Sequence, residues 1–185
     1  MTTIAMLVTT FLCQGTAQAT PTGQCETSIP RKTAYGEISR TECGTAQTGY
    51  SYAINVNGIA VLKGTYLARQ DFDEKLGIWI YRGESTNQTG CPEKHYLIDI
   101  SKKPTKVIAF GVKNACNEFH WSSWSAKRSV IALKNNVQFV YQNGKLTAPA
   151  PGEKLWKAIE PPHAGTGMSA EEAIPFIEEV NLPKQ

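Results

Sequence analysis

The chain has 185 residues, 41% of them hydrophobic and 19% charged, enough apolar side chain for one domain with a sizeable core. Its net charge of +3 is modest, its basic residues are scattered, and no recognition motif appears, which argues against nucleic-acid binding. Its 5 cysteines include no Cys-x-x-Cys pair, which argues against a zinc ribbon or a thioredoxin-type redox site.

In chain order, the first element is the apolar run "IAMLVTTFLC", Ile4 to Cys13, followed by the small-residue pattern Ala17-Gln18-Ala19. This is the form of a signal peptide over residues 1–19, cut near Ala19, although its first residues carry no Lys or Arg. The run is shorter than the roughly 18 residues needed to cross a bilayer. The bulky Leu12 ahead of Cys13 speaks against lipid attachment. No later segment is long and apolar enough to span a membrane, so residues 20–185 are expected to be one exported domain, periplasmic or secreted.

Four cysteines then remain, Cys25, Cys43, Cys91 and Cys116, and an even count in an exported chain favours two disulfides. Sequence allows three pairings. Short loops favour Cys25–Cys43 and Cys91–Cys116, each stabilising by about 3 kcal/mol in the chain-entropy model. The segment from Thr20 to Thr33 reads as irregular, tied down by Cys25.

From about residue 48 to 148 the hydrophobic pattern alternates with period two. In "YSYAINVNGIAVLKG", Tyr50, Tyr52, Ile54 and Val56 share a face, and Asn57-Gly58 supplies the positive-φ pair of a type I′ hairpin. That turn would set Val56 opposite Ile59 and Ile54 opposite Val61. "QDFDEKLG" holds Asp71, Asp73 and Glu74. It lacks the third oxygen ligand and the twelfth-position glutamate of a calcium loop, and reads as a solvated turn. "GIWIYRG", "HYLIDI" and "KVIAFGV" are short strands rich in β-branched and aromatic residues. Asn87-Gln88-Thr89 is a glycosylation sequon, relevant only in a eukaryotic source.

"RSVIALKNNVQFVYQNGKLTA" reads as three strands turning at Asn135-Asn136 and Asn143-Gly144, with Ala132 opposite Phe139 and Val130 opposite Tyr141. The sum is a mainly β fold, an antiparallel sandwich or barrel of about eight to nine strands. Over about residues 150–185 an accessory of one or two short helices is expected. Leu155, Trp156 and Ile159 share a helical face, and Ser169 with Glu172 has capping-box spacing. Pro175 limits the second helix. Residues 94–145 hold nine Lys or Arg against two acids, and residues 146–185 six acids against three. The acidic C-terminal stretch is therefore expected to cover part of the basic half.

No catalytic residue, metal ligand or cofactor is assigned. His95, His120 and His163 form no helical pair and no H-E-x-x-H. Neither a G-x-S-x-G elbow nor a penicillin-binding Ser-x-x-Lys occurs. The densest chemistry is "CNEFHWSSWSAKR", residues 116–128. Its Trp121-Ser-Ser-Trp124-Ser125 resembles the tryptophan strand of thrombospondin repeats, where tryptophans stack with arginines. The resemblance stops at Ser125: Lys127 stands where those repeats place a cysteine, and no cysteine follows. Membership of that family is rejected.

With a turn at Ser122-Ser123, Trp121 would be core and Trp124 part-exposed on a loop beside Lys127 and Arg128. The expected binding residues are Trp124, Lys127, Arg128 and His120. The expected function is that of an exported, non-catalytic binding protein with an extracytoplasmic protein partner: inhibitor-like, immunity-like, or an envelope-assembly subunit. One alternative is a small exported hydrolase using His120 or His163 with an acid such as Asp99. Another is a small-ligand carrier whose mouth is lined by Tyr50, Tyr52, Trp79 and Tyr81.

Overall fold

The computed structural model describes residues 24–84, 92–113, 115–135, 137–148 and 174–182. Among them are 14 strands in three open antiparallel sheets, with no helix and no closed barrel. The first sheet contains β1 (Cys25–Thr27), β2 (Arg31–Thr33), β3 (Gly36–Thr45), β4 (Gly49–Val56) and β5 (Ile59–Gly64). Its order is β1-β3-β4-β5, and β2 also pairs with β3. The chain then lays down β6 (Ala68–Asp73), β7 (Ile78–Arg82), β8 (His95–Asp99) and β9 (Lys106–Lys113), the body of a central sheet. Next come β10 (Phe119–Ser123), β11 (Ser129–Leu133), β12 (Gln138–Gln142) and β13 (Lys145–Thr147), a four-stranded sheet in sequence order. Finally β14 (Ile174–Glu179) returns to the central sheet, which runs β14-β9-β8-β7-β6.

The central sheet is buried on both faces, which makes the architecture three layers rather than the two of an ordinary sandwich. On one face Ile78, Ile80, Leu97, Ile108 and Phe110 pack against Ile131, Leu133, Phe139 and Tyr141 of the third sheet. On the other, Trp79, Tyr81, Ile98 and Val107 pack against Ile38, Ile54, Val56 and Leu62 of the first. Successive strand residues point to opposite faces, so a strand buried on both sides reads as an unbroken apolar run. This is why β9 is buried continuously from Val107 to Val112.

The hairpins follow their turn chemistry. Asn57 and Gly58 take φ of 51° and 80°, and Asn143 and Gly144 take 53° and 75°, the left-handed pairs of type I′ turns. Val56 lies opposite Ile59 as expected, but Ile54 lies opposite Leu62 rather than Val61. A register shift between Ile54 and Asn55 skips Val61, so that the neighbours Val61 and Leu62 both reach the core. In the third sheet Ala132 faces Gln138 rather than Phe139, and Val130 faces Val140 rather than Tyr141. The connection is one residue longer than a two-residue turn: the Leu133 N–H donates to the Val137 carbonyl at 3.0 Å. That extra residue sets Ile131 opposite Phe139, both in the core. A one-residue slip would have turned an apolar set outward.

Both ends of the chain depart from expectation. Cys25 and Arg31 lie in strands β1 and β2, not in an irregular segment. Cys25 sits opposite Cys43 in the β1–β3 register and is bridged to it. The disulfide indicates an oxidising, extracytoplasmic compartment. No helix among the described residues is long and apolar enough to cross a membrane. Residues Ile174–Glu179 form an edge strand where a helix was expected. Six residue pairs with β9 hold it there, and the missing N–H of Pro175 is tolerated on an edge. Glu179 of this strand pairs with Lys106 at 2.6 Å, which bears out part of the expected cover of the basic half. Residues 1–19, the sequon, Cys91, His163, the helix around Leu155 and the helix start at Ser169 lie outside the described residues. Cys116 is itself disulfide-bonded.

Candidate functional site

The β10–β11 hairpin carries all four expected binding residues, but a bulge rearranges them. Phe119 lies opposite Leu133 and Trp121 opposite Ala132, so His120 is the extra residue. A bulge of this kind reverses which side chains face inward beyond it. Ser122 and Ser123 are therefore strand residues paired with Ile131 and Val130, not a turn. Trp124 is half-buried against the core between the central and third sheets, whereas Trp121, opposite Ala132, is only partly buried and belongs to neither core cluster. Trp121 is thus not the core residue expected, while Trp124, part-exposed beyond the strand as expected, also packs against the core. Asp71 on β6 fastens the hairpin from across the interface. It accepts from Trp124 Nε1 at 3.0 Å and from the Ser122 hydroxyl at the same carboxylate oxygen.

The turn falls instead at Ser125–Arg128. Ser125 Oγ accepts the N–H groups of Lys127 and Arg128 at 3.3 and 3.2 Å. Ser129 Oγ accepts the Ser125 N–H at 3.2 Å and donates to its carbonyl at 3.1 Å. These are local side-chain-to-backbone turns, built by serine for want of glycine. Lys127, Arg128 and His120 are exposed. Among the described residues their side chains make no ion pair or hydrogen bond.

The acids and histidines are engaged elsewhere. Asp99 is 1% exposed and accepts from Tyr141 Oη at 2.5 Å and from the N–H and hydroxyl of Ser101 at 2.9 and 2.6 Å. Burial first, then this bond to the carboxylate, raises the Tyr141 phenol far above its ordinary pKa. No hydrogen bond joins Asp99 to His120. His95 is fully buried, and its Nε2–H donates to the Asn117 carbonyl. Its pKa is lowered from 6.5 to about 4, chiefly by burial; the Asn117 bond opposes this, and the Arg82 charge adds a smaller lowering. It is a neutral structural histidine packed against Phe110 and Phe119. Asn117 ties the same corner together, donating to the Glu93 carbonyl at 2.6 Å and accepting the Val112 N–H at 2.7 Å. Of the carboxylate run, Asp73 accepts the Leu76 N–H at 2.9 Å and Glu74 pairs with Arg31 at 2.8 Å. No group of three or more metal-ligating side chains converges among the described residues. Trp79 and Tyr81 are core residues with Tyr52 packed against the same cluster, and Tyr50 stands 45% exposed.

One array was not legible in the sequence. Along the rim between the first and central sheets, arginines lie over aromatic rings. Arg31 and Arg69 are 4.9 and 4.7 Å from the Phe72 centroid, Arg40 is 4.9 Å from that of Tyr52, and Arg82 is 5.5 Å from that of Tyr66. A register shift between Arg69 and Asp71 makes this possible, because it puts Arg69 and Phe72 on one face of β6. Strict alternation would have separated them. Arginine stacking of the kind the tryptophan motif suggested therefore occurs on other aromatic residues. The chain matches no protein-family model, no curated protein and no solved structure.

Proposed function

We propose that the chain is an exported, non-catalytic binding protein that captures an extracytoplasmic protein partner through the β10–β11 loop, as an inhibitor, an immunity protein or an envelope-assembly subunit does. Its export would use residues 1–19 as a cleaved signal peptide, leaving a periplasmic or secreted product. The observation that carries this reading is the pair Lys127 and Arg128, exposed and uncompensated on a backbone already fixed by Ser125 and Ser129. A loop ordered in advance loses little entropy when it binds. Two bare cations side by side favour an acidic surface and speed its encounter. Trp124 then acts as the support of the loop through Asp71, with His120 exposed on the bulge beside it.

The test uses the exported chain as bait in extracytoplasmic extract, with captured protein identified by mass spectrometry. Reversing both charges, Lys127→Glu with Arg128→Glu, is expected to reduce capture of that partner at least tenfold, roughly the effect of losing two rim charges. Both residues are exposed, so the urea midpoint should stay where it was. Equal capture of the same partner by the reversed loop would rule the loop out as the contact.

A further inference from the structure

The rim between the first and central sheets carries a second, independent feature. Arg69 and Tyr81 are directly opposite one another in the β6–β7 register and so share a face. That face looks toward the first sheet, since Tyr81 belongs to the core that includes Ile38, Ile54 and Leu62. Tyr81 is 5% exposed overall, and its hydroxyl, which has no hydrogen-bond partner among the described residues, is not sealed off but reaches solvent at the rim.

The charges around it are unevenly matched. Arg31 is paired with Glu74 at 2.8 Å and Arg40 with Glu42 at 2.7 Å. Arg69 is exposed and paired with no carboxylate among the described residues; the Phe72 ring, shared with Arg31, is what holds it. The positive charges of Arg69, Arg40 and Arg31 all act on the Tyr81 hydroxyl, although burial outweighs them and raises its pKa. Two guanidiniums against one ring repel each other, and an anion between the sheets would offset that repulsion.

We propose that this rim binds one carboxylate, which accepts hydrogen bonds from the Arg69 guanidinium and the Tyr81 hydroxyl. Arg31 and Arg40 stand across the interface and add to the attraction. Of the three arginines that act on Tyr81, Arg31 and Arg40 are paired with Glu74 and Glu42, which suits a monoanion better than a phosphate dianion. The planar fork of arginine matches the two oxygens of a carboxylate. The carboxylate belongs either to a free small acid or to an acidic residue of a peptide, and both present the same group. The site lies on the opposite face of the central sheet from the Lys127–Arg128 loop and does not depend on it.

The full chain is titrated with sodium acetate, sodium phosphate and an amide-capped peptide bearing one aspartate, each against sodium chloride at equal ionic strength. Chemical shifts of the arginine side chains and of the β6 and β7 amides are followed by NMR. Acetate is expected to give saturable shifts at Arg69 and Tyr81 that chloride does not. Arg69→Gln should weaken binding at least tenfold and Tyr81→Phe about tenfold, the usual effect of losing a charge-assisted hydrogen bond. Arg128→Glu should leave it unchanged. Tighter binding of acetate or of the peptide tells which source the site prefers. The proposal fails if chloride reproduces the shifts, if phosphate binds more tightly than both carboxylates, or if Arg69→Gln binds acetate as the parent does. Arg69 is exposed, so that variant decides the matter even if Tyr81→Phe were to unfold.

Discussion

The two interfaces that flank the central sheet bury polar groups in different ways. Between the central and third sheets several polar side chains meet partners across the layer, although the buried His95 Nδ1 has none among the described residues. Asp99 is met by Tyr141, Asp71 by Ser122 and Trp124, and His95 by the Asn117 carbonyl. Between the central and first sheets the buried Trp79 Nε1 has no partner among the described residues, the Tyr81 hydroxyl reaches solvent, and arginines gather at the rim. A paired buried group rigidifies a core, whereas an unpaired one is costly and calls for an explanation. Each interface leaves one buried nitrogen without a partner, and what separates them is that side-chain bonds cross the one and arginines edge the other.

The largest effects test whether the two layers are one cooperative core. Phe110 sits in the third-sheet layer, with its ring 5.0 Å from that of Phe139, and Trp79 sits fully buried in the other. Truncation of either to alanine is expected to cost about 3–5 kcal/mol of stability. If the central sheet couples its two faces, each variant lowers a single urea transition followed by fluorescence and circular dichroism alike. Two separate transitions would divide the molecule into two units.

A smaller effect separates the layers by pH. The folded pKa of His95, about 4, lies below the ordinary 6.5, so the unfolded chain binds more protons between those values. The contribution is fully present above pH 6.5, is lost as pH falls toward 4, and changes no further below. Its size is about 3 kcal/mol, since each tenfold change in proton affinity is worth roughly 1.4 kcal/mol. Urea unfolding at pH 7 and pH 4 should show this loss in the parent chain, on top of what the carboxylates contribute. His95→Gln, which keeps a donor for the Asn117 carbonyl but does not titrate, should lack it. An identical pH dependence in the two proteins would mean that His95 is not held neutral by its layer.

The sequence was most legible where one local rule decides the geometry. Asn57-Gly58 and Asn143-Gly144 announce their turns, and the pairing of Cys25 with Cys43 follows from a short loop. It was least legible where a single inserted residue moves the register. The bulge at His120 turned Trp121 away from the core and Trp124 toward it, and the shift after Arg69 built an arginine–aromatic array that strict alternation hides. The helical reading of "SAEEAIPFIEEV" failed over Ile174–Glu179 because edge pairing with β9 outweighs a weak local helix signal. Three layers rather than two were within reach, since "KVIAFGV" does not alternate as a half-exposed strand would. Lys127 and Arg128 are exposed as expected, while Trp124 turned out to be their support.

The finest discrimination between the interfaces comes from removing one hydroxyl on each side. Tyr141→Phe takes a donor from the buried carboxylate of Asp99, which keeps only its two bonds from Ser101. Leaving a buried acceptor short of a donor is expected to cost about 1–3 kcal/mol. Tyr81→Phe deletes a hydroxyl that has no partner among the described residues, so its effect on stability should stay within about 0.5 kcal/mol. The two substitutions are chemically identical and both residues are 5% exposed, so the comparison isolates the bond itself. A neutral Tyr141→Phe would mean that Asp99 is satisfied by Ser101 alone. A destabilising Tyr81→Phe would mean that its hydroxyl is already held in the free protein, which would take away the donor the carboxylate site needs.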